Sequence, residues 1–171
     1  MKQIIKLIAL AGVFTLGACG FKPMHAPTAL QGAEGVAFSD ISVSTSENLK
    51  KDFLIKQALR NRIGNNTETK YRLDIESTVG RKILGVGADD VASRYDLVMR
   101  TKFSLIDRKT GKAVFNGRTQ AVSTYGAPRD PYGTITAGEN ATEQVAGETA
   151  DRIINRLAGY FQKRARRQNA K

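Results

Sequence analysis

The only cysteine of the 171-residue chain, Cys19, offers the clearest chemistry in the sequence. It directly follows Leu16-Gly17-Ala18, at the end of an apolar run that opens with Lys2 and Lys6. That run is too short to span a bilayer and has the pattern of a cleaved secretion signal. We therefore expect cleavage after residue 18, attachment of diacylglycerol to the Cys19 thiol, and a further acyl chain on its new amine.

Lipidation would fix the mature protein to a bacterial membrane outside the cytoplasm. Each buried methylene contributes about 0.8 kcal/mol, so three acyl chains together give a permanent anchor. The compartment excludes nucleic acid, ATP and nicotinamide cofactors as ordinary partners, and we expect no cofactor beyond the covalent lipid on Cys19. The alternative is an ordinary signal peptide with an incidental cysteine.

The net charge predicts an anionic partner. Lys and Arg number 27 against 16 Asp and Glu, giving +11, and loss of the two lysines in the signal leaves +9. A basic exported domain is expected to meet lipid headgroups, a phosphorylated glycolipid or an acidic protein surface. The alternative is a charged surface that serves solubility alone.

Composition divides the chain into four parts. Residues 1–18 are the signal peptide, and 19–35, rich in Pro and Gly, form a flexible tether. Residues 36–165 are long enough for a single domain with its own hydrophobic core. Residues 166–171 are a basic tail that we expect to be frayed and solvated. The only histidine, His25, lies in the tether without further ligands at metal-binding spacing, so no metal site is expected.

Hydrophobic periodicity predicts the element order β-α-β-β-β-α. Alternating apolar residues predict strands at 36–45, from Tyr71 onward, at 93–107, and ending near Tyr125, with a bulge near Asp40 and a tight turn at 107–111. Apolar residues at helical spacing predict helices at 47–63 and 139–165. Ser44 and Glu47, and Thr136 and Glu139, have capping-box spacing, and 126–138 is predicted to be a loop.

These elements favour an α+β two-layer sandwich. Each strand has one apolar face and each helix one apolar stripe, so both helices would pack on one face of a four-stranded sheet. The other face would then carry Arg72, Arg100, Lys102 and Arg118. No Ser-His-Asp set or spaced carboxylate pair is present, and the adjacent acids Asp89 and Asp90 fall in a glycine-rich turn. We therefore expect that the chain is not an enzyme.

Four segments of the sequence together resemble one known family. They are 19–24 at the mature start, 93–97 opening the third strand, 105–125 across the hairpin, and 150–161 in the last helix. Each pattern is common by itself, but their order and spacing span nearly the whole mature domain. The chain resembles the LptE family of lipopolysaccharide-assembly lipoproteins.

The resemblance implies a plug seated in the lumen of an LptD-like β-barrel and tethered to the outer membrane on its periplasmic side. The pair would insert lipopolysaccharide into the outer leaflet, and this subunit would also assist barrel assembly. Gly20 after Cys19 is similar to lipoproteins sent on to the outer membrane, whereas the proline-rich segment 126–131 departs from the family. The alternative is a tethered subunit of a phospholipid-trafficking transporter or another barrel-assembly factor.

Basic residues supply the candidate contacts. Arg binds phosphate through a fork of hydrogen bonds, and charge-assisted bonds contribute roughly 1.5–3 kcal/mol each. Candidates for lipopolysaccharide are Arg81, Lys82 and Arg94 near the hairpin between the second and third strands. Candidates for the barrel lumen are Arg100, Lys102 and Arg118. The alternative is a hairpin whose charges only keep it soluble.

Overall fold

A computed structural model describes residues 38–45, 49–66, 68–86 and 92–170. All of them belong to one compact unit, Gln31–Lys171. The predicted signal peptide, Cys19, the tether with His25 and the Asp89-Asp90 turn lie outside the described residues.

The elements follow the predicted order β-α-β-β-β-α, and the α+β class is confirmed. After a short 3-10 helix at Phe38–Asp40 they are β1 (Ile41–Thr45), α1 (Lys50–Ile63), β2 (Tyr71–Val86), β3 (Ala92–Asp107), β4 (Ala113–Gly126) and α2 (Pro131–Asn169).

The sheet has the order β1-β2-β3-β4. β1 pairs in parallel with β2 because α1 carries the chain back between them, and Ile41 lies opposite Tyr71. β2, β3 and β4 form two long antiparallel hairpins. The predicted tight turn between β3 and β4 is present, with Gly111 at a φ of 67° and its N–H donating to the Asp107 carbonyl at 2.8 Å. Glycine adopts this left-handed conformation without steric cost.

The core lies between the sheet and the two helices. Odd-numbered strand residues such as Leu73, Met99 and Leu105 are fully buried, as are Leu59 of α1 and Leu157 of α2. Full burial of such a side chain contributes about 1.5–3 kcal/mol. Because the even-numbered strand residues are largely exposed, both helices cover the same face, as a two-layer sandwich requires.

The two helices run parallel, side by side. Lys50 Nζ lies 2.6 Å from Glu139 Oε1 near the start of α1, and Arg62 pairs with Asp151 near its end. Both pairs join residues 89 positions apart, so the helices keep the same register over the length of α1.

The start of the last helix corrects the sequence prediction. α2 begins at Pro131 rather than at 139, so the predicted loop 126–138 is shortened to 127–130. The predicted cap, Thr136 with Glu139, is wrong, because Asp130 is the N-cap and its side chain accepts from the Gly133 N–H at 2.8 Å. Proline suits the first helical turn because its missing N–H would lack a partner there.

Other boundaries also differ from the predictions. β1 begins at Ile41 rather than 36, and the 3-10 helix replaces the predicted bulge near Asp40. α1 begins at Lys50, and its N-cap, Leu49, makes no side-chain cap hydrogen bond. α2 continues through the basic residues to Asn169, so residues predicted to fray from 166 onward are helical. Within the described ranges, no helix is long and apolar enough to cross a membrane.

Candidate functional site

The hairpin between β2 and β3 carries the three predicted glycolipid contacts, and the strand geometry separates them. Successive strand residues point to opposite faces. Arg81 is on the helix-covered face, where its guanidinium lies 4.7 Å from the centre of the Tyr95 ring. Lys82 is on the open face opposite Asp96. Arg94, two residues before Asp96 on β3, lies on the same open face. The structure thus groups Lys82 with Arg94 and turns Arg81 away from them.

Apolar side chains lie beside these cations. Ile83 and Leu84, at the same end of β2, are 56% and 49% exposed. Tyr95 stacks on Tyr125 at the base of this region, with ring centres 5.5 Å apart. Exposed apolar groups next to cations suit an amphiphile that has an anionic head.

The open face of the sheet brings the other three predicted residues together. Arg100, Lys102 and Arg118 occupy neighbouring rows, since Lys102 lies opposite both Glu76 and Arg118. Lys102 Nζ is 4.0 Å from Glu76 Oε2, and Arg100 Nε donates to Gln120 Oε1 at 3.1 Å. None of the helices described packs against this face.

Arg72, also predicted on the open face, is already neutralised. Its guanidinium donates to both carboxylate oxygens of Asp74, at 2.7 and 2.9 Å. This hydrogen bonding, together with the negative charge of Asp74, raises the pKa of Arg72. Its charge is therefore less available to a ligand than that of its neighbours.

Two further cations, Arg152 and Arg156 of α2, were missed by sequence reasoning. Arg152 Nη1 donates to the Gln120 carbonyl at 2.7 Å, and its other nitrogens bind Glu148. Both arginines line an open groove of about 650 Å³ together with the three cations of the open face. Their spacing of four residues indicates from the sequence that both lie on the polar side of the helix. Their approach to the β4 edge, however, depends on tertiary packing.

No ready-made metal site is present among the residues described, because no three His, Cys, Asp or Glu side chains converge there. The side chains at both places offer ionic contacts and hydrogen bonds. The hairpin adds apolar contacts, while the groove offers cations and hydroxyl groups.

Comparisons with known proteins identify the family. The sequence profile described as "LptE: Lipopolysaccharide-assembly" matches residues 38–157, well over half of the chain. Among curated proteins, none matches the sequence.

Solved structures share the fold. A candidate lipoprotein of Caulobacter crescentus CB15 is 27% identical, covering 79% of this chain and 96% of that one, with a TM-score of 0.65. Rare lipoprotein B of Shewanella oneidensis is 19% identical over 70% and 94% of the two chains, with a TM-score of 0.55. A minor lipoprotein of Acinetobacter baumannii is 17% identical over 73% and 94%, with a TM-score of 0.54. The last two comparisons bear on the fold alone. Because the family match runs from the 3-10 helix at Phe38–Asp40 into α2, the chain belongs to the LptE lipopolysaccharide-assembly family.

Proposed function

We propose that this protein is an outer-membrane lipoprotein, anchored through Cys19, that plugs an LptD-like β-barrel. It assists assembly of the barrel and insertion of lipopolysaccharide into the outer leaflet, without bond chemistry of its own. The observation that carries the proposal is the family match across the folded domain, residues 38–157.

The shape and surface of the domain support a place inside a polar lumen. The core is closed by the two helices on one side, while the other side of the sheet presents charged and hydroxyl side chains. A water-filled barrel has a polar interior, so it can accept such a surface without burying unpaired apolar area. Arg100, Lys102 and Arg118 remain candidates for contact with the wall.

The hairpin end supports contact with lipopolysaccharide. Its exposed cations, Lys82 and Arg94 on one face and Arg81 on the other, can bind phosphate groups. The neighbouring Ile83 and Leu84 offer apolar surface to acyl chains. Phosphates and acyl chains occur together in the lipid part of lipopolysaccharide, which gives this end a matching ligand.

The partner assignment can be tested by purification. The tagged chain is extracted in mild detergent, and the proteins that stay bound are identified by mass spectrometry. We expect one outer-membrane barrel protein in equal amount. A tagged lipoprotein of another family, extracted in parallel, serves as the control. Recovery of transporter subunits, or of no partner, would contradict the proposal and favour the alternative envelope role.

A further inference from the structure

The groove beside β4 is built from cations of three elements. Arg100 and Lys102 come from β3, Arg118 from β4, and Arg152 and Arg156 from α2, against a single lining carboxylate, Glu76. Arg152 is paired with Glu148, and Lys102 Nζ lies 4.0 Å from Glu76 Oε2. Arg100, Arg118 and Arg156 have no carboxylate partner among the described residues, and their mutual repulsion favours a counterion. The groove is therefore electrostatically matched to a ligand with more than one negative charge.

Two of these arginines are held in place and two are available. Arg100 is fixed by Gln120, and Arg152 by Glu148 and the Gln120 carbonyl. Arg118 and Arg156 make no hydrogen bond or ion pair with any residue that the structure describes. Fixed guanidinium groups define the walls of the groove, and the two unpaired ones can each bind an anionic group through two hydrogen bonds.

The rest of the lining suits a sugar rather than an acyl chain. Of the described residues that line the groove, none is aromatic or aliphatic, and the remainder are hydroxyl and amide side chains such as Thr78 and Gln120. Threonine hydroxyls and the Gln120 amide can donate hydrogen bonds to the hydroxyl groups of a sugar and accept them in return. A volume of about 650 Å³ falls within the range of small-molecule sites.

The free edge of β4 does not offer an alternative strand-addition site at this point. An added strand would need the outward-facing backbone groups of β4, but Arg152 already occupies the Gln120 carbonyl. One carbonyl of that edge is thus already bonded, and the groove itself presents side chains for recognition.

We propose that this groove binds an acidic or phosphorylated sugar, with Arg118 and Arg156 as its principal anion contacts. It is separate from the hairpin end. The inference rests on the proposed function only for the source of the sugar, which would be the saccharide part of lipopolysaccharide. A free sugar phosphate or sugar acid has the same chemistry and would use the same contacts.

Calorimetric titration of the purified full chain in mild detergent tests the site. The probes are fructose bisphosphate and digalacturonate, with maltose as the neutral sugar. We expect at least one anionic probe to bind and maltose to fail. The double variant Arg118→Gln/Arg156→Gln should lose about tenfold or more in affinity, because it removes two charge-assisted contacts. The matched control, Lys109→Gln/Lys112→Gln, makes the same change in net charge on the exposed β3–β4 turn and should bind as the unaltered chain does.

The outcomes separate the possibilities. Failure of both anionic probes, or an equal loss in the control variant, overturns the proposal. A groove variant that keeps sugar binding but no longer co-purifies with a barrel protein also overturns it, and assigns these arginines to the barrel wall. Competition by deacylated saccharide from lipopolysaccharide supports the site with the glycolipid as source, and probe binding without that competition supports it with a free sugar as source. The proposed plug function is judged separately by the barrel partner itself.

Discussion

The ring of Phe103 on β3 lies directly over Gly117, its cross-strand partner on β4. A Cβ added at Gly117 would come closer than 3.0 Å to three atoms of the ring. Phe103 is buried and also contacts Phe115, with ring centres 6.0 Å apart. The Phe103 ring thus fills the space that a side chain at position 117 would occupy.

Replacing Gly117 with alanine should therefore destabilise the fold. We expect a loss of about 1–3 kcal/mol in the free energy of unfolding, because the Phe103 ring must leave its position in a packed core. Urea denaturation of the purified chain measures this. Gly126→Ala, where an added Cβ meets nothing within 4 Å, is the matched control and should change stability little. Equal effects of the two substitutions would contradict the packing described.

The ion pair between α1 and α2 should contribute modestly to stability. Arg62 makes two hydrogen bonds to the Asp151 carboxylate, at 2.5 and 2.9 Å, and a third to the Ala58 carbonyl. A double-mutant cycle with Arg62→Gln and Asp151→Asn should give a coupling of about 0.5–1 kcal/mol, since the pair is partly solvent-exposed.

The pair Lys50–Glu139 provides the internal comparison for that cycle. Its side chains are 61% and 55% exposed, against 33% and 56% for Arg62 and Asp151. A lysine also lacks the fork that binds a carboxylate twice. We expect the smaller coupling here, and the reverse ranking would count against the helix pairing as described.

Substitution of Cys19, the predicted lipidation site, should abolish both lipidation and cleavage of the precursor. In Cys19→Ser cells, we expect no incorporation of labelled palmitate and an uncleaved precursor, because the thiol is the only acceptor for diacylglycerol. Inhibition of the lipoprotein signal peptidase should make the unaltered chain accumulate as a precursor 18 residues longer. Normal processing of the serine variant would instead identify an ordinary signal peptide with an incidental cysteine.

Charge reversal at the hairpin should separate binding from folding. Lys82→Glu is expected to weaken lipopolysaccharide binding by about tenfold with the same thermal midpoint, because Lys82 is exposed and a lost charge-assisted contact is worth at least about 1.5 kcal/mol. Arg81→Glu should also lower stability by about 0.5–1 kcal/mol, the usual strength of an exposed cation–π contact such as the one with Tyr95.

The hairpin measurements need moderate ionic strength, where distant surface charges are screened. Lys109→Glu, on the turn at the other end of β3, reports on net charge alone. If Lys82→Glu and Arg81→Glu both bind lipopolysaccharide like the unaltered chain, the hairpin assignment fails.

Much of the fold was predictable because its strands obey a simple rule. From Tyr71 to Thr78 and again along β3, apolar and polar residues alternate, so the face on which each side chain lies follows from its residue number. The sequence does not predict the start of α2, because Pro131, Gly133 and Gly138 are residue types typical of loops. In the structure, Asp130 caps the first turn and Pro131 begins it, a combination that helix N-termini favour.

The candidate sites were predictable in composition but not in arrangement. Alternation assigned Arg100, Lys102 and Arg118 to one face of the sheet, whereas the divergence of Arg81 from Lys82 is visible only in the structure. The contribution of Arg152 and Arg156 could not be deduced, because it depends on how far α2 lies from the β4 edge. That distance is set by core residues such as Val145 and Leu157, whose packing no local pattern specifies.

The bond from Arg152 to the Gln120 carbonyl also bears on self-association of the chain. A 14-residue strand at the border of a sheet would otherwise invite a second copy to pair with it and begin fibre-like aggregation. The Arg152 guanidinium at the middle of this edge leaves no unbroken row of free backbone groups with which a second copy could pair.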